Sequence, residues 1–163
     1  MRTLLVGLGA FAILIAAGCT APLDQGNLTI RCPGAGSATA VANGQVTIDG
    51  VVLRIVADLT APPSVDEGLT VAIEVQGPAL GPTDRSASID CMRIAKPDRG
   101  EQWDTTPKGI KEFRDNAKTR VLATARDGPH WVAGDVVQVT VWLKTVGGGP
   151  WHVLTLDRQQ IHP

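Results

Sequence analysis

The stretch Gln45-Val46-Thr47-Ile48-Asp49-Gly50-Val51-Val52-Leu53-Arg54-Ile55-Val56-Ala57-Asp58-Leu59 decides the fold. Asp-Gly supplies the positive backbone angles of a type I′ turn, the usual two-residue link between antiparallel strands. With Asp49-Gly50 as the turn, Ile48 faces Val51 and Val46 faces Leu53. All four then share one face, so turn chemistry and hydrophobic alternation select the same register. The second strand runs on through Ala57 and Leu59, with Arg54 and Asp58 on the opposite face. Ala61-Pro62-Pro63 ends it.

The same period of two recurs in both directions along the chain. Leu28 to Cys32 reads as a short strand, followed by a loop over Cys32-Pro33-Gly34-Ala35-Gly36-Ser37. Leu69, Val71, Ile73 and Val75 alternate with Thr70, Ala72, Glu74 and Gln76, the pattern of a half-buried strand. Between Ser86 and Ile94 the phase changes: Ile89 and Cys91 fall on one face, Met92 and Ile94 on the other. Such a slip predicts a bulge, or a strand buried on both sides. Val121, Ala123 and Ala125 alternate with Arg120, Thr124 and Arg126. Val137, Val139, Val141 and Leu143 form the strongest strand. Gly147-Gly148-Gly149-Pro150 turns the chain, and Trp151 to Ile161 returns. One helix is predicted over residues 107–117. Thr106 caps it, Pro107 suits its first position, and Ile110, Phe113 and Ala117 line one side. Seven or eight short strands with Pro/Gly-rich connections predict a mainly-β sandwich with that one short helix; a small β-barrel is the alternative.

The N-terminus is built differently. Arg2 precedes an apolar run from Leu4 to Ile15, then Ala16-Ala17-Gly18-Cys19. A cation, about 12 apolar residues and small residues before a cut describe a secretory signal, and the run is shorter than the ~20 residues that span a bilayer. The cysteine directly after Ala-Ala-Gly resembles the lipobox of bacterial lipoproteins. The resemblance implies cleavage before Cys19 and a diacylglycerol on its thiol, with fatty acylation such as palmitate. The chain then divides into a signal peptide (1–18), a lipidated tether (19–27) and a single domain (28–163). Thr20 follows the lipid-bearing residue where an Asp would favour inner-membrane retention, so the analogy implies the outer membrane of a Gram-negative cell. In a Gram-positive cell it implies the outer face of the plasma membrane.

Three cysteines are present: Cys19, Cys32 and Cys91. If Cys19 carries the lipid, Cys32 and Cys91 remain as one pair. Outside the cytosol such a pair is expected to be oxidised, with two free thiols as the alternative. Neither lies in a CxxC or CxxH spacing of a zinc site. The segment Trp131-Val132-Ala133-Gly134-Asp135-Val136-Val137-Gln138-Val139 resembles the loop-and-strand pattern of bacterial immunoglobulin-like domains. That resemblance implies an immunoglobulin-like β-sandwich, which a Cys32–Cys91 bridge between its sheets would suit. The antibody Cys…Trp…Cys arrangement is absent, and with no Tyr there is no tyrosine corner.

The 15 basic and 16 acidic residues leave a net charge of −1 with no basic stripe, which argues against nucleic acid as a partner. No nucleophile elbow, HExxH, phosphate-binding loop or dinucleotide fingerprint occurs, and no cofactor is implied. His130, His152 and His162 lack metal-ligand spacing. Tryptophan is the more informative residue type: Trp103, Trp131, Trp142 and Trp151. Trp142 points away from the face of Val139 and Val141, and Trp151 and Val153 point the same way on the next strand. Two indoles side by side would form a platform for sugar rings or for a protein. The competing arrangement has residues 97–118 covering that face, with Trp103, Ile110 and Phe113 over both indoles. The expected function is a membrane-anchored lipoprotein, a non-enzymatic binding or structural module at the cell envelope. Its partners are the bilayer, through acylated Cys19, and an envelope or extracellular protein. A glycan-binding module using exposed Trp, and an envelope metal carrier or hydrolase, are the alternatives.

Overall fold

The computed structural model describes residues 30–48, 50–64, 67–78, 87–115, 118–145 and 150–163. Residues 1–29, over which the signal peptide, the lipidated Cys19 and the tether are predicted, lie outside them. Within the described residues the regular structure is all strand. The strands are β1 (Thr39–Ala40), β2 (Gln45–Ile48), β3 (Val51–Thr60), β4 (Thr70–Pro78), β5 (Ala87–Lys96), β6 (Glu101–Thr105), β7 (Gly109–Asp115), β8 (Lys118–Ala125), β9 (Val136–Thr145) and β10 (Trp151–Gln160).

The opening hairpin has the register its sequence predicts. Ile48 pairs with Val51 and Val46 with Leu53. Asp49 is outside the described residues; Gly50 has φ +78, a left-handed conformation that costs glycine nothing. The strands form two separate five-stranded sheets, ordered β1-β10-β9-β5-β6 and β2-β3-β4-β8-β7. The barrel alternative is therefore excluded. The runs β3-β4-β8-β7 and β10-β9-β5-β6 follow the A-B-E-D and G-F-C-C′ orders of an immunoglobulin-like sandwich. Inward residues of alternating strands fill the space between. Val46, Ile48, Leu53, Ile55, Leu59, Val71, Ile73 and Val75 come from one sheet. Ile89, Met92, Ile94, Val139, Val141, Leu143, Leu154 and Leu156 come from the other.

The predicted phase slip in β5 is a bulge. Ile89 pairs with Leu143 and Cys91 with Trp142, so two residues of β5, Asp90 and Cys91, oppose one of β9. The extra residue returns Ile89 to the same inward face as Met92 and Ile94, instead of the face of Cys91 expected from simple alternation. Cys91 is left pointing outward.

Three expectations are corrected. The helix predicted over residues 107–117 is not formed among the described residues of that span, 107–115: Gly109–Asp115 is strand β7, paired antiparallel with β8 from Gly109–Thr124 to Asp115–Lys118. The stripe of Ile110, Phe113 and Ala117 was too thin to bury, and an isolated helix of this length is marginal. A partner strand two residues further along offers every other backbone group a hydrogen bond at little loop cost. Of the strand predicted over Leu28 to Cys32, Leu28 and Thr29 lie outside the described residues and Ile30 to Cys32 are irregular, continuous with the loop predicted over Cys32 to Ser37. Finally, the Cys32–Cys91 disulfide exists but does not cross between sheets. It joins the entering chain to the outer face of the sheet that contains β5. Two loops also meet closely at one end of the sandwich: a Cβ on Gly68 would collide with the Gly128 carbonyl oxygen, so backbone contact there requires glycine.

Candidate functional site

Two side-chain constellations stand out, and neither is the paired-indole platform. The first lies on the outer face of the β10-β9-β5-β6 sheet. Cys32, Cys91 and Trp142 form a small apolar cluster separate from the main core, with Ala35 and Val153 packed against it. Strand register explains the meeting. The β5 bulge sets Cys91 directly opposite Trp142, and Val153 stands on the other side of Trp142 in β10. Arg93, next outward on β5, is directly opposite Asp104 of β6. Its guanidinium grips the carboxylate at two points, Nε to Oδ1 at 2.6 Å and Nη2 to Oδ2 at 2.7 Å. The same Asp104 accepts the Cys32 backbone N–H at 2.8 Å. The Arg93 guanidinium also lies 5.4 Å from the Trp142 ring centre. One disulfide, one bidentate ion pair and one charge-assisted backbone bond thus hold the entering chain against the sheet. Trp142 is 1% exposed beneath this cover, and its Nε1 has no hydrogen-bond partner among the described residues.

Asp104 is subject to opposing influences. Burial pushes its carboxyl up. The Arg93 hydrogen bonds, the Cys32 N–H and the charges of Arg93 and Arg31 outweigh burial and hold it below the usual carboxylate range. Asp135 is lowered by its bond from Lys96, and Glu74 by bonds from Arg120 and Gln76. A carboxylate with a depressed folded-state pKa stabilises the fold above its unfolded value, near pH 4, and loses that stabilisation as pH falls through the folded value. Stability is therefore expected to be level from neutral pH to about pH 5 and to fall below about pH 4. Asp104→Asn should flatten part of that fall; urea unfolding of both proteins at neutral and acid pH measures it, and identical pH slopes would refute the assignment.

The second constellation is a cleft of about 740 Å³ at one end of the sandwich, bordered by Pro62, Pro63, His130, Trp131, Val132 and Pro163. Trp131 is buried in its wall and donates Nε1–H to Glu101 Oε2 at 2.7 Å. Lys96 falls in the inward phase of β5. Its ammonium lies 5.7 Å from the Trp131 ring centre and 2.7 Å from Asp135 Oδ2. Asp135 also accepts the Val132 N–H at 3.1 Å. The ion pair thereby fixes the loop that presents Val132 at the cleft rim. Such a surface can receive an apolar group.

The four tryptophans are dispersed. Trp103 packs half-buried against the main core, touching the Gly128 backbone side. Trp131 is in the cleft wall and Trp142 under the disulfide. Trp151 is 42% exposed, with the Lys144 ammonium 5.3 Å from its ring centre. Trp151 pairs with Lys144 and Trp142 with Val153, so the two indoles are diagonal rather than opposite. Trp103, Ile110 and Phe113 do not pack over Trp142 either. Ile110 and Phe113 sit exposed on the other sheet, and the disulfide does the covering.

Arg93, Asp104, Lys96 and Asp135 were not singled out from sequence. Arg93 carried a usable signal, an outward charge between inward Met92 and Ile94, but its partner lies 11 residues away across a turn. Among the described residues no group of three or more His, Cys, Asp or Glu side chains is placed to hold a metal ion. Cys19 lies outside them. Comparisons with protein-family models, curated proteins and solved structures find no match to this chain.

Proposed function

We propose that this chain is a bacterial lipoprotein, anchored by diacylglycerol on Cys19, whose sandwich is a non-enzymatic binding or structural module at the cell envelope. The observation that carries this reading is the Cys32–Cys91 disulfide. Disulfides persist in oxidising compartments, which fits export by the N-terminal signal. The bridge also uses two of the three cysteines, leaving Cys19, the one that follows Ala-Ala-Gly. Thirteen residue steps separate Cys19 from Cys32, a tether reaching at most about 45 Å. The partner in this reading is an envelope or extracellular protein.

Growth of a bacterial host with labelled palmitate, followed by isolation of the chain, tests the anchor. Label is expected in the parent chain and in Cys32→Ser, and none in Cys19→Ser. Equal labelling of Cys19→Ser, or an intact Met1 terminus on the mature parent, would remove the basis for the proposal.

A further inference from the structure

We propose that the cleft beside Trp131 is a lipid-tail site, which takes the hydrocarbon chain of a free fatty acid. That the occupant is hydrocarbon is read from the cleft alone. That it is an acyl chain rests on the envelope setting proposed above, where acyl chains are the abundant hydrocarbon. At about 740 Å³ the cleft falls within the roughly 300–1,000 Å³ of small-molecule sites.

The class of ligand follows from what the walls lack. Among the described residues no Asp, Glu, Lys or Arg lines the cleft. An ionic group taken into it would lose its water and meet no counter-charge. Backbone donors are scarce for two reasons. Pro62, Pro63 and Pro163 have no N–H. Ala61 gives its N–H to the His162 carbonyl at 2.8 Å, Trp131 to the Pro129 carbonyl at 2.9 Å, and Val132 to Asp135 Oδ2 at 3.1 Å. Six of the ten lining residues therefore offer no free N–H. The indole donor in the wall, Trp131 Nε1–H, is spent on Glu101. An extended or polyproline peptide brings a carbonyl at each residue, and a sugar brings a hydroxyl at nearly every carbon. Dried against these walls, those groups would go unpaired. A methylene chain leaves nothing unpaired and gains by leaving water.

The cleft is also fastened in shape. Leu59 and Ala61 are both bonded to His162, and Lys96 holds Asp135, which holds Val132. Little ordering remains for a ligand to impose. Polarity is graded across the lining: Trp131 is buried, whereas Ser64 and His130 are exposed. The tail then lies against Trp131 and the carboxylate stays outside, in water. An acyl chain on Cys19 is not the occupant, because in the proposed anchor those chains are committed to the bilayer.

The full chain, produced in a bacterial host and isolated, is illuminated with palmitate that carries a diazirine at the end of its tail, then digested and mapped by mass spectrometry. Adducts are expected on the peptides that hold residues 61–64 and 131–133. Unlabelled palmitate should displace them at a concentration at least tenfold lower than laurate needs, because each buried methylene is worth about fourfold in affinity. Ala133 is an exposed part of the lining, so substitution there spares the core. Ala133→Asp should cut the adducts at least tenfold and Ala133→Leu should keep them, with both variants unfolding in urea as the parent does. Cys19→Ser should label like the parent whichever way the anchor test comes out, so failure of the anchor and failure of the site are separate results. The proposal is overturned if adducts scatter over the surface, if laurate competes as well as palmitate, or if Ala133→Asp labels like the parent. A cleft that labels only in Cys19→Ser would also overturn it, since the chain's own lipid would then be the occupant.

Discussion

Replacing Cys32 and Cys91 together by Ala is expected to destabilise the fold by about 4 kcal/mol. The two positions are 59 residues apart in sequence. In the chain-entropy account, opening a loop of that length restores most of this free energy to the unfolded ensemble. A second contribution is local. The disulfide is the lid over Trp142, and Asp104 receives the Cys32 N–H only while that segment is held in place. Against a total of roughly 5–15 kcal/mol for an ordinary domain, the loss is a large fraction. The melting temperature should fall by on the order of 10 °C. Urea or thermal unfolding of the parent and the double variant measures the difference. Trp142 should become accessible to a fluorescence quencher in the variant before global unfolding. A change below about 1 kcal/mol would mean that the bridge is not the main fastening of the entering chain.

The second large effect is expected at the Lys96–Asp135 pair, and it should be asymmetric. Asp135→Ala is expected to cost about 3 kcal/mol, because it strands an ammonium group away from water. The Lys96 side chain is only 3% exposed, whereas that of Asp135 is 17% exposed. Lys96→Met should cost about 1 kcal/mol, since Asp135 keeps some access to solvent and its bond from the Val132 N–H. Met also preserves the contact with the Trp131 ring. Equilibrium urea unfolding of the two variants gives the comparison. Asp135→Ala should in addition loosen the Val132 loop and redden Trp131 emission, which Lys96→Met should not. Equal costs for the two substitutions would show that the ammonium is not effectively desolvated.

Much of the sandwich was legible before any coordinates, for a local reason. Asp49-Gly50 dictates a two-residue turn, and the residues flanking it alternate in the phase that turn requires; two independent constraints agreed on one register. The break in alternation in β5 was legible too, but it left a bulge and a strand buried on both sides as alternatives; the pairing with β9 decided for the bulge. The segment 109–115 was not. Its apolar residues suit a weak helical stripe as well as an edge strand, and local preference cannot see a neighbouring strand. The contact between Trp142 and the disulfide was equally hidden. Sequence placed Trp142 outward, but what covers an outward residue depends on where the chain enters the sheet.

By itself, then, the sequence determined what near neighbours along the chain can settle: strand periodicity, the hairpin register, the break of phase in β5 and the mainly-β class. Only the tertiary structure decided which sheet each strand joins and that residues 109–115 pair instead of coiling. It also decided that the disulfide clamps one outer face rather than bridging the core, and which charges meet. Those outcomes rest on contacts between residues far apart in sequence, whose energies exist only once both sheets are assembled.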